Sequence, residues 1–478
     1  MTSTAGGRKT ESKQDSGDDG EVGLRRGLGL TDCVLLVIGS MIGSGIFLTS
    51  GEVAKHLPTP SLILAAWLVG GIMALTGALT YAELAAAIPR AGGHYVYLRE
   101  AYGPLVGFLD GWLSFVASFP GSIAFVALGL MTYLPSAWTG QVLWTVETPL
   151  FRWSVASANL LAIAVIVALS AINGLGLRTG SGAQNLFTGL KIAALVGIAG
   201  FGLFAGRGSW ANLGGTQIVG GVDLPEFGAA LIGVSFAYLG WDAATYMAAE
   251  VRHPQRSLPR SLVLGTLLVI ALYLAFNVVL LYGIPAAGLA ASASPVREVA
   301  NSLLGPNLSG LLTLAILVCI LGSLNATVMV GPRIYYAMAQ HGVFPRVLAS
   351  VHPRTHVPVA AIVAQATMAC IIVLSATLGR ILAFTVLVIW LLSAATGAAV
   401  FVLRHRAPEA PRPYRVWGYP WVPTIFCFSS TALMVNHLLR NPWDLVWLAG
   451  FLLAGMPVYL AMRSRGNAAQ APARPASE

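Results

Sequence analysis

The 478-residue sequence is poor in charge. Asp, Glu, Lys and Arg together make up 10% of it, against roughly 25% in soluble domains. Hydrophobic residues supply 56%. A water-soluble chain of this length could not cover its surface with so few charges, which excludes a soluble globular protein. Cysteine is scarce too. Cys33, Cys319, Cys370 and Cys427 are the whole set, and all lie in or beside apolar runs. Free thiols acting as small apolar residues are therefore expected, not a disulfide framework. No short apolar stretch with a cleavage site precedes the first long run, so no removable signal peptide is expected and the first span directs insertion. The Gly-x-Ser-x-Gly elbow and Walker-type phosphate loops are missing, which leaves an intramembrane hydrolase or an ATP-driven pump without support. The eight histidines, His56, His94, His253, His341, His352, His356, His405 and His437, sit mostly in connections. None forms a pair with helical metal-site spacing. His352 and His356 are separated like ligands, but Pro353 and Pro358 argue against a helix there. No catalytic residue, metal or cofactor is expected.

What is abundant is arranged in blocks. Apolar runs of about 18 residues or more are long enough to cross a hydrocarbon core as helices. Twelve are legible: 30–55, 61–87, 103–134, 154–175, 184–206, 227–249, 260–283, 308–339, 357–377, 380–403, 421–439 and 443–462. No ten-residue alternating pattern repeats, so a transmembrane barrel is excluded and the fold class is an all-α integral membrane protein. With twelve spans, both termini and every even-numbered connection share one side. That side holds 21 of the 28 Lys and Arg residues, among them Arg90, Arg99, Arg252, Arg333 and Arg404. Basic residues concentrate on cytoplasmic loops, which places both termini in the cytoplasm of a cell whose plasma membrane the chain spans. The formal net charge of +9 is then an inner face attracted to anionic membrane lipid, and no nucleic-acid partner is implied. Residues 1–28 are rich in Gly, Ser and Asp, a disordered composition, and 464–478 read as a second short tail, leaving 29–463 as a single transmembrane domain.

The interruptions carry the functional information. The first span contains Gly39-Ser40-Met41-Ile42-Gly43-Ser44-Gly45-Ile46-Phe47. Each glycine weakens a helix by about 1 kcal/mol relative to Ala. If the helix opens here, the backbone N–H groups that start its second half form a site for a carboxylate. The plainer reading is that Gly43, Ser44 and Gly45 only allow close helix packing. The sixth span contains Ser235-Phe236-Ala237-Tyr238-Leu239-Gly240-Trp241-Asp242, a second glycine followed by a second anomaly, an acidic residue. A charge at that depth should face a cavity or a partner. Paired interruptions, first in each half of the chain, point to the binding site of a secondary transporter. Helices 1–5 and 6–10 would then be inverted repeats, with two helices appended and helices 1 and 6 broken. Lys191 is the one basic residue deep within a span. It can extend to the interface. Alternatively, it can be buried against carbonyls of the opened first span, in the place of a coupling cation. Trp67, Trp112, Trp390 and Trp443 read as packing or interface residues. Glu83 and Glu250, beside Arg90 and Arg252 in sequence, read as gate or structural ion pairs.

Several long motifs occur in a recognisable order: Gly43-Ser44-Gly45-Ile46-Phe47; Ala82-Glu83-Leu84 with Ile88-Pro89-Arg90-Ala91-Gly92-Gly93; Tyr97-Leu98-Arg99-Glu100-Ala101-Tyr102-Gly103; and Glu250-Val251-Arg252-His253-Pro254-Gln255-Arg256-Ser257-Leu258-Pro259. On these the chain resembles the amino acid–polyamine–organocation superfamily from about residue 28 to 463. Gly322-Ser323-Leu324-Asn325, Tyr335-Tyr336-Ala337-Met338-Ala339 and Tyr414-Arg415-Val416-Trp417-Gly418-Tyr419-Pro420 are most similar to the L-type amino acid transporter branch and its bacterial relatives. The resemblance implies a LeuT-type fold and sodium-independent exchange or uniport of amino acids, neutral ones favoured. It implies that amides around Ser44, Gly45 and Ile46 hold the substrate carboxylate. Carbonyls around Ile42, Phe236 and Ala237 would hold its ammonium, with Gly43, Tyr238, Gly240 and Asp242 completing the site. The Phe236 ring would be the gate, and Lys191 would match the family's fifth-helix lysine. Two departures stand out. Asp242 replaces the Asn usual in the L-type branch, which keeps open a proton-coupled carrier of cationic amino acids or polyamines. The loop 135–153 lacks the cysteine used to bind a glycoprotein heavy chain, so no disulfide-linked partner is expected. The rivals from other classes are a non-transporting sensor on the same fold and a channel.

Overall fold

The computed structural model describes residues 23–147, 152–204, 207–214, 224–292, 295–304, 309–375 and 378–470. Most of the two tails expected at the ends lies outside these residues. In chain order the helices are α1 (Leu30–Met41), α2 (Gly45–His56), α3 (Pro60–Ala87), α4 (His94–Tyr102), α5 (Pro104–Leu113), α6 (Phe119–Met131), α7 (Ser136–Thr139), α8 (Ser157–Gly174), α9 (Leu177–Phe204) and α10 (Leu224–Ala237). They continue with α11 (Ala243–Tyr246), α12 (Pro254–Gly283), α13 (Ala286–Ala291), α14 (Pro295–Leu304), α15 (Ser309–Val330), α16 (Pro332–Gln340), α17 (Val359–Ser375), α18 (Leu378–Arg406), α19 (Trp421–Arg440) and α20 (Trp443–Gln470). Among the described residues, ten helical stretches are long and apolar enough to cross a membrane, and α10 and α17 are shorter apolar helices. Large apolar side chains such as Leu186, Val196, Leu267, Phe428 and Leu453 are exposed along the long helices. That surface suits lipid, where backbone groups must be satisfied within the helix itself.

One segment departs from the all-helical expectation. Strands β1 (Val142–Glu147) and β2 (Arg152–Ala156) pair antiparallel and take the first residues of the run read as starting at 154. Val142, Trp144 and Thr145 bring β-favouring residues to this stretch.

The helix boundaries follow from local chemistry. Thr59 caps α3 by accepting from the Leu62 amide, and Pro60 takes the first position, where its missing N–H costs nothing. Gly331-Pro332 separates α15 from α16, and Gly103, in the left-handed region at φ 98°, separates α4 from α5. A π-helical turn, Ser114–Ser118, divides α5 from α6 just ahead of Pro120. Small residues set the spacing between helices. A Cβ on Gly265 of α12 would sit 2.6 Å from Val37 of α1, and one on Gly71 of α3 would sit 2.8 Å from Ile270 of α12.

The acidic residues at the helix ends find partners far away in sequence. Glu250 binds Arg333 through two bonds of 2.7 and 3.0 Å, both side chains being at most 1% exposed. Glu83 accepts from Arg404 at 2.8 and 2.7 Å and from the Val416 amide at 2.6 Å. The sequence neighbours Arg90 and Arg252 are not these partners, and Arg90 pairs with Glu100 instead. Residues 27 and 28 are tied to the same place. The amides of Gly27 and Leu28 donate to Glu250 O, and the Arg252 amide donates to Leu28 O at 2.8 Å. Removing one partner of a buried pair leaves an uncompensated charge. Glu250→Ala should therefore lower stability by about 3–5 kcal/mol, read as a drop in the thermal unfolding midpoint in detergent. A double replacement, Glu250→Leu with Arg333→Met, should recover much of that loss.

Candidate functional site

α1 stops at Met41 because Ile42 is extended (φ −75°, ψ 94°), and α2 restarts at Gly45 with Ser44 as an N-cap that makes no side-chain capping bond. The first-turn amides of α2 are therefore not met by a side chain of their own cap. α10 likewise stops at Ala237 and α11 starts at Ala243, with Gly240 between them in the left-handed region at φ 99°. The two interruptions touch. A Cβ on Gly45 would lie 2.6 Å from Ala237 Cα, and one on Gly240 would lie 2.8 Å from Ser40 Cβ and 2.9 Å from Ser40 C. Only glycine lets backbone meet backbone this closely, and at Gly240 the positive φ adds a second requirement.

The carbonyls freed at the end of α1 are met by three other helices. Lys191 of α9 donates to Gly39 O and Ile42 O, both at 2.6 Å, with its side chain fully buried. Ser323 of α15 donates to Ser40 O at 3.3 Å. The Tyr273 hydroxyl of α12 lies 2.7 Å from Met41 O and 3.1 Å from Ala237 O, so one group bridges both interruptions. Among the described residues no carboxylate pairs with Lys191. Its ammonium is held by peptide oxygens alone, as a bound metal cation would be.

A cavity of about 140 Å³ opens at this junction. Gly43, Ser44, Gly45, Phe236, Ala237, Gly240 and Asp242 line it. Ile42, Ile46 and Tyr238 do not: the two isoleucines are fully buried, and the Tyr238 hydroxyl turns away to Trp67 O at 3.1 Å. Hydroxyls from four further elements line the cavity, Ser118 in the π turn, Ser122 on α6, Ser323 and Thr327 on α15, and Ser393 on α18. The Phe236 ring is half-buried at one wall, edge-on to Phe125 at 5.3 Å.

Asp242 is engaged. Its Oδ2 lies 2.9 Å from His94 Nε2 and accepts from the Tyr246 hydroxyl at 2.9 Å. Sequence reasoning missed His94, Ser323, Tyr273 and Tyr246. Tyr273 lies in an unbroken apolar run with no neighbouring signal. His94 follows Gly92-Gly93, whose positive φ angles (111° and 51°) turn α4 toward α11, and that turn was the available hint. The lining holds donors, acceptors and one compensated carboxylate. Among the described residues there is no cluster of metal ligands. Such a lining suits a small zwitterion.

Residues 28–462 match the amino acid permease family. The chain is 32% identical over 446 residues to the serine/threonine exchanger SteT of Bacillus subtilis (strain 168), covering 93% of this chain and 98% of that protein. It is 28% identical over 454 residues to the human b(0,+)-type amino acid transporter 1, covering 95% and 91%. It is 27% identical over 461 residues to the human large neutral amino acids transporter small subunit 2, covering 95% and 83%. With the family matched across nearly the whole length, the chain belongs to the amino acid permeases and is a multi-pass membrane transporter, not an enzyme.

Proposed function

We propose that the chain is a sodium-independent carrier of neutral amino acids, working by exchange through alternating access. The observation that carries this reading is the contact of two interrupted helices at one cavity, with backbone amides on one side and carbonyls on the other. In the bound state the α-carboxylate lies at the amides of Ser44, Gly45 and Ile46, at the positive end of α2. The ammonium lies at carbonyls of Ile42, Phe236 and Ala237. Ile42 O already accepts a bond from Lys191 and Ala237 O lies 3.1 Å from the Tyr273 hydroxyl, whose one proton it shares with Met41 O, and each oxygen keeps a lone pair for the substrate. Gly43 and Gly240 keep the backbone close, Tyr238 braces the second interruption, and the Phe236 ring closes over the bound molecule.

Sodium independence is supported by Lys191. A coupling cation would need the carbonyls of residues 39 and 42, and the ammonium holds both at 2.6 Å. Neutral substrates are supported by Asp242, whose carboxylate is already matched by His94 and Tyr246 and is not a free counter-ion for a cationic side chain. Exchange is supported by the relative named as a serine/threonine exchanger. In this reading α10 and α17 add to the ten long apolar stretches to make twelve spans in a LeuT-type inverted repeat, 1–5 and 6–10, plus two. Residues 29–463 are then the transport domain, both tails face the cytoplasm of the plasma membrane, and no heavy chain is bound by a disulfide.

Purified protein in liposomes should take up labelled alanine, serine and leucine saturably, with arginine at least about tenfold weaker, a difference near 1.4 kcal/mol. Replacing sodium with choline should leave the rate unchanged, and internal amino acid should raise it. Uptake of arginine alone would overturn the neutral reading, and strict sodium dependence would overturn the role given to Lys191. Lys191→Ala should abolish uptake or make it sodium-responsive. Gly45→Val should lower uptake by at least about tenfold, because its side chain would enter the Ala237 backbone. Gly189→Ala, where nothing lies within 4 Å of the added Cβ, should retain wild-type uptake.

A further inference from the structure

His94, Asp110 and Asp242 come from three separate places in the sequence to one buried cluster. His94 opens α4, Asp110 lies on α5, and Asp242 ends the non-helical stretch before α11. The imidazole stands between the two carboxylates, with Nε2 2.9 Å from Asp242 Oδ2 and Nδ1 4.0 Å from Asp110 Oδ1. Nε2 is within hydrogen-bond distance of Asp242, while Nδ1 faces Asp110 from beyond that distance, so a doubly protonated ring bonds one carboxylate and meets the other by charge alone. Asp110 is 1% exposed, and neither of its oxygens meets a hydrogen-bond donor. His94 and Asp242 line the cavity, while Asp110 stands behind the ring.

Little else around the cluster carries charge. Tyr81 of α3 is edge-on to the ring at 5.1 Å, and Tyr246 of α11 packs on it at 5.4 Å. Tyr97 and Tyr95 of α4 are the other titratable groups in its electrostatic reach. All four are phenols. Among the described residues no Lys or Arg forms an ion pair with Asp110 or Asp242: Arg333 is taken by Glu250, and Arg99 and Arg90 lie with Glu100. α15 and α18 bring only hydroxyls and apolar groups to this part of the cavity. With both ring nitrogens protonated and both carboxylates ionised the cluster carries a net charge of minus one, and a further proton, on Asp110, makes it neutral. In apolar surroundings that difference matters energetically. A purely structural ion pair would need His94 and Asp242 alone and would leave Asp110 unexplained.

We propose that His94, Asp110 and Asp242 form a proton-binding site in the wall of the cavity, and that its occupancy is linked to occupancy of the cavity by an amino acid. The linkage rests on the carrier reading above; the proton site does not. The substrate ammonium, placed at the α10 carbonyls on the same cavity wall as Asp242, favours the more negative cluster. Substrate binding then releases a proton, and by reciprocity protons weaken substrate binding. Lys191 is not part of this cluster, because its ammonium is held at Gly39 O and Ile42 O of the first interruption.

Two measurements test this. Infrared spectra of the purified full-length protein, with pH stepped between about 5 and 8, should show a carboxylic-acid C=O band that titrates and is missing in Asp110→Asn. The half-saturation concentration for serine and leucine uptake should rise by about fivefold or more from the alkaline to the acid end. Asp110→Asn and His94→Gln should each flatten that slope. Lack of a titrating carboxyl band overturns the proton site. A slope that persists in both variants, is missing in the wild type, or runs the other way overturns the linkage. A titrating band in a protein with no saturable uptake at any pH supports the proton site and overturns the carrier reading instead.

Discussion

An interrupted helix in apolar surroundings leaves peptide oxygens without partners, and the architecture around residues 39–42 is organised by the need to meet them. Each orphaned carbonyl buried without a donor costs on the order of 1–3 kcal/mol. Four such oxygens, those of Gly39, Ser40, Met41 and Ile42, are met by three helices: α9 through Lys191, α15 through Ser323 and α12 through Tyr273. None of these donors is local. The break in the first span therefore exists only in the assembled bundle, and the bundle is held in register by the break. A fully buried ammonium is tolerable on the same terms, because the oxygens it satisfies would otherwise be unpaired.

The second constraint is steric. Gly45 against Ala237 and Gly240 against Ser40 bring two non-helical segments into backbone contact, so the amide end of one half-helix and the carbonyl end of another share a cavity. That pairing of opposite partial charges from the backbone is complementary to a zwitterion. Away from the junction, glycine faces on α3 and α12 and the Glu250–Arg333 and Glu83–Arg404 pairs hold the surrounding helices. The strap of Gly27 and Leu28 on residues 250–252 lies in the same region.

Much of this was legible in the sequence. Apolar run length located several helices to within about three residues, the stretches read as 61–87, 380–403 and 421–439 corresponding to Pro60–Ala87, Leu378–Arg406 and Trp421–Arg440, whereas those read as 184–206, 260–283 and 443–462 are the longer helices Leu177–Phe204, Pro254–Gly283 and Trp443–Gln470. Gly43-Ser44-Gly45 and Gly240 announced both interruptions because glycine is costly within a helix. Lys191 could be read only as a choice between interface and core, and its bonds to Gly39 and Ile42 favour the core. What the sequence hid depends on pairings between distant residues. Arg333 and Arg404 partner Glu250 and Glu83 across 83 and 321 positions, whereas nearest basic neighbours suggested Arg252 and Arg90. Tyr273 looks like any aromatic in an apolar run until the fold places its hydroxyl between two interruptions. His94 and Asp110 lie sixteen residues apart, and only the turn at Gly92-Gly93 and the return of α5 bring them together. The pairing of Val142–Glu147 with Arg152–Ala156 was hidden for another reason: most of it falls in the stretch 135–153 read as a loop, and only 154–156 were read as the start of the adjoining span.

The central claim is that the two touching interruptions are one amino acid site. Hydrogen–deuterium exchange of the purified protein, with and without saturating leucine, tests it most directly, because amides of α2 and of the second interruption exchange through the groups assigned to the substrate. The account predicts slowed exchange in peptides covering residues 43–47 and 236–242 together, with α19 and α20 unchanged. Protection confined to other helices, with both interruptions exchanging as in the free protein, would contradict it.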